Sequence, residues 1–377
     1  MSIRQHNLGS IVKPGFNPLG AQTTGYQNAL YSWGGNLYGQ LGLGDTTNRS
    51  SPNQVGSLTT WSQGAVGSTF TVAIKSDGTL WSWGQNNNGQ LGLGNTTYYS
   101  SPKQVGSLTS WSKSACSNTH TFSIKTDGTL WGWGSNSFGQ LGLGNTTTYS
   151  SPKQVGSLTT WLNVACSYAA TVATKTDGTI WSWGYGNSGR LGLNNSTNYS
   201  SPKQIGALTA WLQVASAYAF SVATKTDGTI WSWGSNGQGQ LGIGNTTAYS
   251  SPKQIGALTT WSAFACGSNF AGAVKTDGSL WMWGTNTAGE LGQNNTTSLS
   301  SPTQVGLLTT WSQIACGSSC TLSIKTDGTL WSWGQGNSGQ LGIGNTTYYS
   351  SPKQVGSLTT WSLLPRMYAP NFSVAMI

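Results

Sequence analysis

Residues 123–161 read SIKTDGTLWGWGSNSFGQLGLGNTTTYSSPKQVGSLTTW, and nearly every position recurs 50 residues away on either side without a gap. A period of this length makes each copy one supersecondary unit that buries its apolar surface against its neighbours. Within the stretch, an alternating run at 121–125 is followed by Thr126, Asp127 and Gly128 and then by a second run at 129–134. Asp-Gly between two such runs is a hairpin signal, because a tight turn matching strand twist needs positive φ, which glycine adopts freely and aspartate tolerates. A third strand is expected through 111–117 and a short fourth near 102–106, where Pro102 suits the start of an outer strand. The third carries Ala65, Ala115, Ala165, Ala215, Ala265 and Ala315 at one repeat position, small residues suited to strands that converge on an axis.

The GQLGLG-type segment begins at Gly39 and at six further glycines, the last being Gly339, whereas the Lys-Ser/Thr-Asp-Gly segment occurs only six times, from Lys75 to Lys325. The missing copy is divided between the chain ends. Residues 29–34 fall on the register of 79–84, and Phe372, Val374 and Ile377 fall on the register of Leu322, Ile324 and Asp327. Residues 372–377 are therefore expected to pair antiparallel with residues 29–34, which closes the units into a ring and hides both end strands. Four short strands per unit, seven times over, predict an all-β chain: a seven-bladed β-propeller of four-stranded blades, ring closed by pairing of the N- and C-terminal strands.

Composition agrees with this. Charged residues make up only 7% of the 377, while 53 glycines and 20 tryptophans stand far above ordinary usage, which excludes long charge-rich helices. Trp33-type and Trp61-type residues occur in every unit and Trp81-type residues in all but the first, where Tyr31 stands. Each large aromatic can bury on the order of 200 Å², so rings of them between blades can hold a polar chain together. The net charge of +9 comes from lysines repeated around the ring, whereas a nucleic-acid reader more often concentrates charge in a stripe or helix. Five cysteines, Cys116, Cys166, Cys266, Cys316 and Cys320, form no C-x-x-C pair and read as small buried thiols. No apolar run is long enough to span a bilayer, and residues 1–16 lack the hydrophobic core of a secretory signal.

The segments WGWGSNSFGQLGLG, SPKQVG and KTDGTLW together resemble the repeat of the regulator-of-chromosome-condensation (RCC1-like) propeller family, over roughly residues 28–377. The resemblance implies the propeller fold. It implies no single function, since that family includes a nucleotide exchange factor for a small GTPase, chromatin binders, ubiquitin-ligase scaffolds and a β-lactamase inhibitor, all using propeller faces to hold another protein.

Little in the chain is equipped for catalysis. The glycine-rich GQLGLGN lacks the Gly-Lys-Ser/Thr ending of a phosphate loop, and no helix follows it. Asp77, Asp127, Asp177, Asp227, Asp277 and Asp327 each sit in a hairpin turn, too far apart for a catalytic carboxylate pair. The remaining acids are Asp45 and Glu290 and the histidines are His6 and His120, too few for a Ser-His-Asp triad or a histidine metal site. The reading is a non-enzyme with no cofactor and no metal. Asn-Thr-Thr triplets at Asn95 and Asn145 match a glycosylation acceptor pattern but are read as turns that satisfy their own backbone.

Positions that vary among otherwise near-identical units are not fixed by the fold, and three windows vary: 85–88, 98–99 and 117–120, with their equivalents. These are expected at loop tips, where binding usually resides. One is rich in tyrosine: Tyr98, Tyr99, Tyr149, Tyr199, Tyr249, Tyr348 and Tyr349, amphipathic rings suited to sugars and proteins, the plainer alternative being that they pack over the blade edge.

Residues 1–27 have no place in the ring and are expected to form an extended arm, with Ile11, Val12, Lys13, Pro14, Phe16, Asn17, Pro18 and Leu19 as an assembly anchor. The segment VKPGFNPLG resembles leaders of RCC1-like repeat proteins of tailed bacteriophages. Low charge, a Gly/Ser/Thr/Asn-rich surface and the arm together lead to the expectation of a bacteriophage virion protein, a tail, fibre or capsid-decoration component. Its partners would be other virion proteins and a host-surface glycan or protein. The alternative is a cytoplasmic interaction module or scaffold; nucleic-acid binding rests on charge alone, and membrane insertion on nothing.

Overall fold

Strands Trp111–Cys116, His120–Lys125, Leu130–Gly134 and Tyr149–Gln154 form one antiparallel sheet in that order from the axis outwards. The computed structural model describes residues 28–57, 59–368 and 371–377, and seven sheets make up the ring, five of them four-stranded like this one, the closing one of three strands and its neighbour of five. The expected anchor, residues 11–19, lies outside the described residues. Among the described residues no helix is long and apolar enough to cross a membrane.

The hairpin after Lys125 is a three-residue loop, not a two-residue one. Gly128 N–H donates to Lys125 O (3.0 Å) and Lys125 N–H to Thr129 O (3.0 Å). Only Gly128 takes positive φ, at +78°, while the aspartates stay out of the left-handed region. This is a type I turn closed by a left-handed glycine. Asp127 contributes by side-chain bonding: its Oδ1 accepts from Thr129 N–H (2.9 Å) and Thr129 Oγ1 (2.6 Å), and Trp131 Nε1 donates to Thr129 Oγ1 (2.9 Å). These bonds hold the Asp127 carboxyl below its usual range. The aspartates are structural, as the sequence indicated. So are the Asn-Thr-Thr triplets, where Asn145 Oδ1 accepts from Thr147 N–H (3.0 Å).

The outer strand departs from expectation. It starts at Tyr149, with Pro152 inside it, where the sequence placed the proline at the strand start. Proline is tolerated there because the strand is outermost and its register is interrupted between Tyr149 and Lys153.

Blades are joined by tryptophan. Trp33, Trp83, Trp133, Trp183, Trp233, Trp283 and Trp333 are all fully buried. Each indole Nε1 donates to the carbonyl of residue 40, 90, 140, 190, 240 or 290 in the preceding unit, at 2.8–3.0 Å. Trp33 donates to Gln340 O (2.9 Å), which completes the circle. Glycine lets the backbone come this near: a Cβ on Gly142 would stand 2.8 Å from Trp183 Nε1. The Trp61-type residues pack edge-on against this ring, as Trp161 does against Trp183 at 5.8 Å. Their own Nε1 groups are buried and find no acceptor among the described residues, so apolar and ring contacts hold the indoles. In six of the seven units a lysine covers these rings: Lys175 Nζ lies 3.7 Å above Trp181 and 4.8 Å from Trp161.

Closure occurs as expected in partner and direction. Phe372–Met376 pairs antiparallel with Leu30–Gly34, from Leu30↔Met376 to Gly34↔Phe372. Leu363 bridges Met376 and so stands for the inner strand of this blade. The register is corrected by two residues, since Gly34↔Phe372 matches Gly334↔Cys320 and places Phe372 on the position of Cys320, not Leu322. A slip of two keeps every side chain on its face, so the burial pattern did not reveal it. The extra length serves a detour. Arg366–Met367 leaves the blade and pairs parallel with strand Trp61–Val66, and Arg366 Nη1 donates across the axis to Val164 O (2.6 Å). Ala115, Ala165, Ala215, Ala265 and Ala315 line the axial cavity with Pro365, as their size implied. The five cysteines are free and buried, as read.

Candidate functional site

Because neighbouring strands alternate in direction, the turns after each inner strand and the loops after each Leu130–Gly134-type strand open on the same face of the ring. The variable windows 85–88 and 117–120, with their equivalents, therefore share that face, and Tyr98, at the end of the same loop as 85–88, lies at its outer edge. On most blades the loop is organised by a glutamine: Gln140 Oε1 accepts from Phe138 N–H (2.9 Å), and Gln40, Gln90, Gln240 and Gln340 do the same. Glu290 accepts from Ala288 N–H in the same way.

One unit has Arg190 at this position, and arginine cannot accept. Ser188 N–H donates instead to Asn187 Oδ1 (2.8 Å), and Ser188 takes φ +60°, ψ 16°, a left-handed conformation seen at none of its equivalents. The arginine folds inward: Nε donates to Asn187 O (2.9 Å), Nη1 to Tyr218 O (3.0 Å), and the guanidinium lies 4.8 Å from the Tyr185 ring. It is only 5% exposed, and burial lowers its pKa from the ordinary value. The one salt bridge among the described residues is Arg49–Asp45, so Arg190 has no counter-ion.

Aromatic rings gather around it. Tyr168 and Tyr218, from the turns of adjacent blades, stand 5.1 Å apart, and Phe138 and Tyr185 stand 4.5 Å apart. Tyr168, Tyr218 and Phe138 are exposed. With Asn187, Ser188, Ser235 and Asn269 they frame an open cleft of about 500 Å³. Such a cleft offers flat apolar walls, amide and hydroxyl partners and one desolvated cation, groups able to hold a ligand.

The family model described as the RCC1-like domain matches residues 29–374. The chain belongs to the RCC1-like domain family. Among solved structures, this RCC1-like propeller is similar to human WBSCR16 (TM-score 0.82, 23% identity, covering 93% of this chain and 98% of that one). It is also similar to Prp20p from Saccharomyces cerevisiae, described with its binding properties to Gsp1p and histones (TM-score 0.83, 20% identity, 93% and 91% covered). A third is yeast RCC1 (Prp20) with Kap60 bound (TM-score 0.84, 19% identity, 100% and 94% covered). A search of curated protein sequences found no match. These findings overturn the virion location expected from sequence, because these three structures, which share the fold over nearly the whole chain, are of cellular proteins of human and yeast. The low charge and Gly/Ser/Thr/Asn-rich surface behind that expectation follow from short strands and turn chemistry, which any propeller of this kind needs.

The tyrosine window of the RCC1-like propeller divides in two. Tyr99, Tyr149, Tyr199, Tyr249 and Tyr349 are half-buried over the blade edge. Lysines stand over all five rings at 5.1–5.6 Å. Asparagine Nδ2 groups donate to the hydroxyls of Tyr99, Tyr149, Tyr199 and Tyr349. Tyr98 and Tyr348 are exposed, on the two blades flanking the closing one, and none of the seven lines the cleft. Sequence reasoning marked the windows that hold Tyr168, Tyr185 and Tyr218 without choosing these residues, and it passed over Arg190. The available signal was GRLGLN at 189–194 in place of GQLGLG.

His120 is not part of the cleft. It is fully buried, its Nδ1 2.7 Å from Ser117 Oγ and its Nε2 3.2 Å from Thr171 Oγ1, and burial lowers its pKa to about 3. An unfolded histidine titrates near 6.5, so as pH falls through that value the unfolded chain takes up a proton that the fold refuses. Stability then drops by up to about 1.4 kcal/mol per pH unit until the folded value is reached. Phenylalanine fills the equivalent position at Phe70, Phe220 and Phe270. Replacement His120→Phe is expected to recover about 2–3 kcal/mol of the stability lost between pH 7 and pH 4.5, read from urea midpoints at the two pH values.

Proposed function

We propose that this RCC1-like propeller is a protein-interaction module whose partner docks on the loop face, over the blades that carry Phe138, Tyr168, Tyr185 and Tyr218. One observation carries the reading: residues that vary between repeats and are free of the fold's demands converge on one cleft beside a loop whose backbone departs from the pattern at Ser188. Exposed tyrosines around a desolvated arginine have the composition of an interface hot spot. The relatives' recorded binding of Gsp1p, histones and Kap60 agrees with use of such a surface for other proteins. The exposed Tyr98 and Tyr348 provide a second, smaller surface.

The test compares the purified chain with the double variant Tyr168→Ala/Tyr218→Ala as baits in lysate of the source organism. Loss of two hot-spot aromatics is expected to lower recovery of a stoichiometric partner by roughly thirty-fold, corresponding to ~2 kcal/mol or more. Equal recovery by both baits, with matched thermal stability, would overturn the assignment.

A further inference from the structure

We infer that the cleft is an acidic-peptide site in which the Arg190 guanidinium takes the carboxylate of a partner's Asp or Glu side chain; this rests on the interaction reading above. A guanidinium has five N–H donors in a rigid fork. Two are used inside the protein, by Asn187 O and Tyr218 O, and the Nη2 amine meets no partner among the described residues. A cation this deeply buried without a counter-ion is costly, and the cost is relieved when an anion pairs with it in bidentate geometry.

Two features of the unit show that arginine is not there for the fold. Glutamine at the same position of five other units satisfies its loop with regular backbone. Arginine instead forces Ser188 into the left-handed region, and strain of this kind gathers at ligand sites. No Asp or Glu lines the cleft, so an incoming carboxylate meets no like charge, and the chain as a whole carries +9.

The rest of the cleft selects the source of the carboxylate. Arg190 is its one cationic lining residue, whereas a phosphate backbone is held by several cations along a stripe. The paired rings of Tyr168 and Tyr218 on one side and of Phe138 and Tyr185 on the other provide apolar seats for residues flanking the acid. Asn187, Ser188, Ser235 and Asn269 provide hydrogen-bond partners for peptide backbone. An acidic residue between apolar or aromatic neighbours fits all three.

The probe is an array of twelve-residue peptides in which each sequence with a central Glu has a twin with Gln, screened with the full-length protein and with Arg190→Gln. Wild type is expected to retain a set of Glu peptides at least about ten-fold over their Gln twins, and the variant to lose that preference while keeping or gaining thermal stability. Equal retention of the twins by wild type, or a Glu preference that survives in Arg190→Gln, overturns the inference. Glucuronate or inorganic phosphate competing as well as the free peptide would assign the site to a small anion and overturn the peptide source. The two readings fail separately. A partner lost from Tyr168→Ala/Tyr218→Ala but held fully by Arg190→Gln leaves the docking face standing and removes the carboxylate from it.

Discussion

Deletion of residues 371–377 is expected to abolish the cooperative unfolding transition of the whole ring. The strand it removes, Phe372–Met376, is buried along its full length. Phe372, Val374 and Met376 belong to the same core as Trp61 and Trp83 of the next blade. At roughly 1.5–3 kcal/mol for each large apolar side chain, the three contribute on the order of 5–9 kcal/mol. Backbone pairing with Leu30–Gly34 and the bond from Ser373 Oγ to Gln340 O (2.8 Å) add to that. A native protein has a net stability of only about 5–15 kcal/mol, so the deletion takes most of it. Calorimetry should show a broad, low-enthalpy transition or none. A sharp transition within a few degrees of the intact protein would mean that the blades do not depend on closure. Val374→Asp, which retains the strand but buries an unpaired carboxylate, should be nearly as damaging.

Substitutions Trp33→Ala and Trp183→Ala are each expected to cost about 3–5 kcal/mol in urea unfolding, and to agree within about 1 kcal/mol. Both indoles are fully buried and both donate to a carbonyl of the preceding unit. Trp183 lies inside the array, whereas Trp33 sits in the strand Leu30–Gly34 that meets Phe372–Met376. In an open stack of repeats an end interface is bordered on one side only and is cheaper to lose. In a closed circle every interface has two neighbours. A Trp33→Ala cost well below that of Trp183→Ala would show that the junction is looser than the other interfaces.

The gap-free period made the fold legible, because each blade repeats the same apolar positions and six of the seven repeat the same Asp-Gly hairpin. The pairing of residues 29–34 with the C-terminal strand followed from counting the hairpin segments. The two-residue slip at Phe372 was hidden, since sheet faces alternate with period two and the displaced assignment buries the same side chains. The detour through Arg366–Met367 was hidden for another reason: its partner strand, Trp61–Val66, is adjacent only after the ring forms. The cleft was half legible. Variation between repeats pointed to the loop tips, but favoured the tyrosine-rich window, most of which packs over the blade edge. The residues that meet at Arg190 come from separate units, and nothing local to GRLGLN announces that Tyr168 and Tyr218 arrive beside it.

Joining Leu30 to Met376 also sets a timetable for biosynthesis. Translation proceeds at about 5–20 residues per second, so strand Leu30–Gly34 waits on the order of tens of seconds for its mate. Through that interval the nascent polypeptide presents a bare sheet margin beside Trp33, a sticky template for any other extended segment nearby. Chaperone engagement should therefore track the distance still to be synthesised, and end abruptly once Phe372–Met376 has emerged.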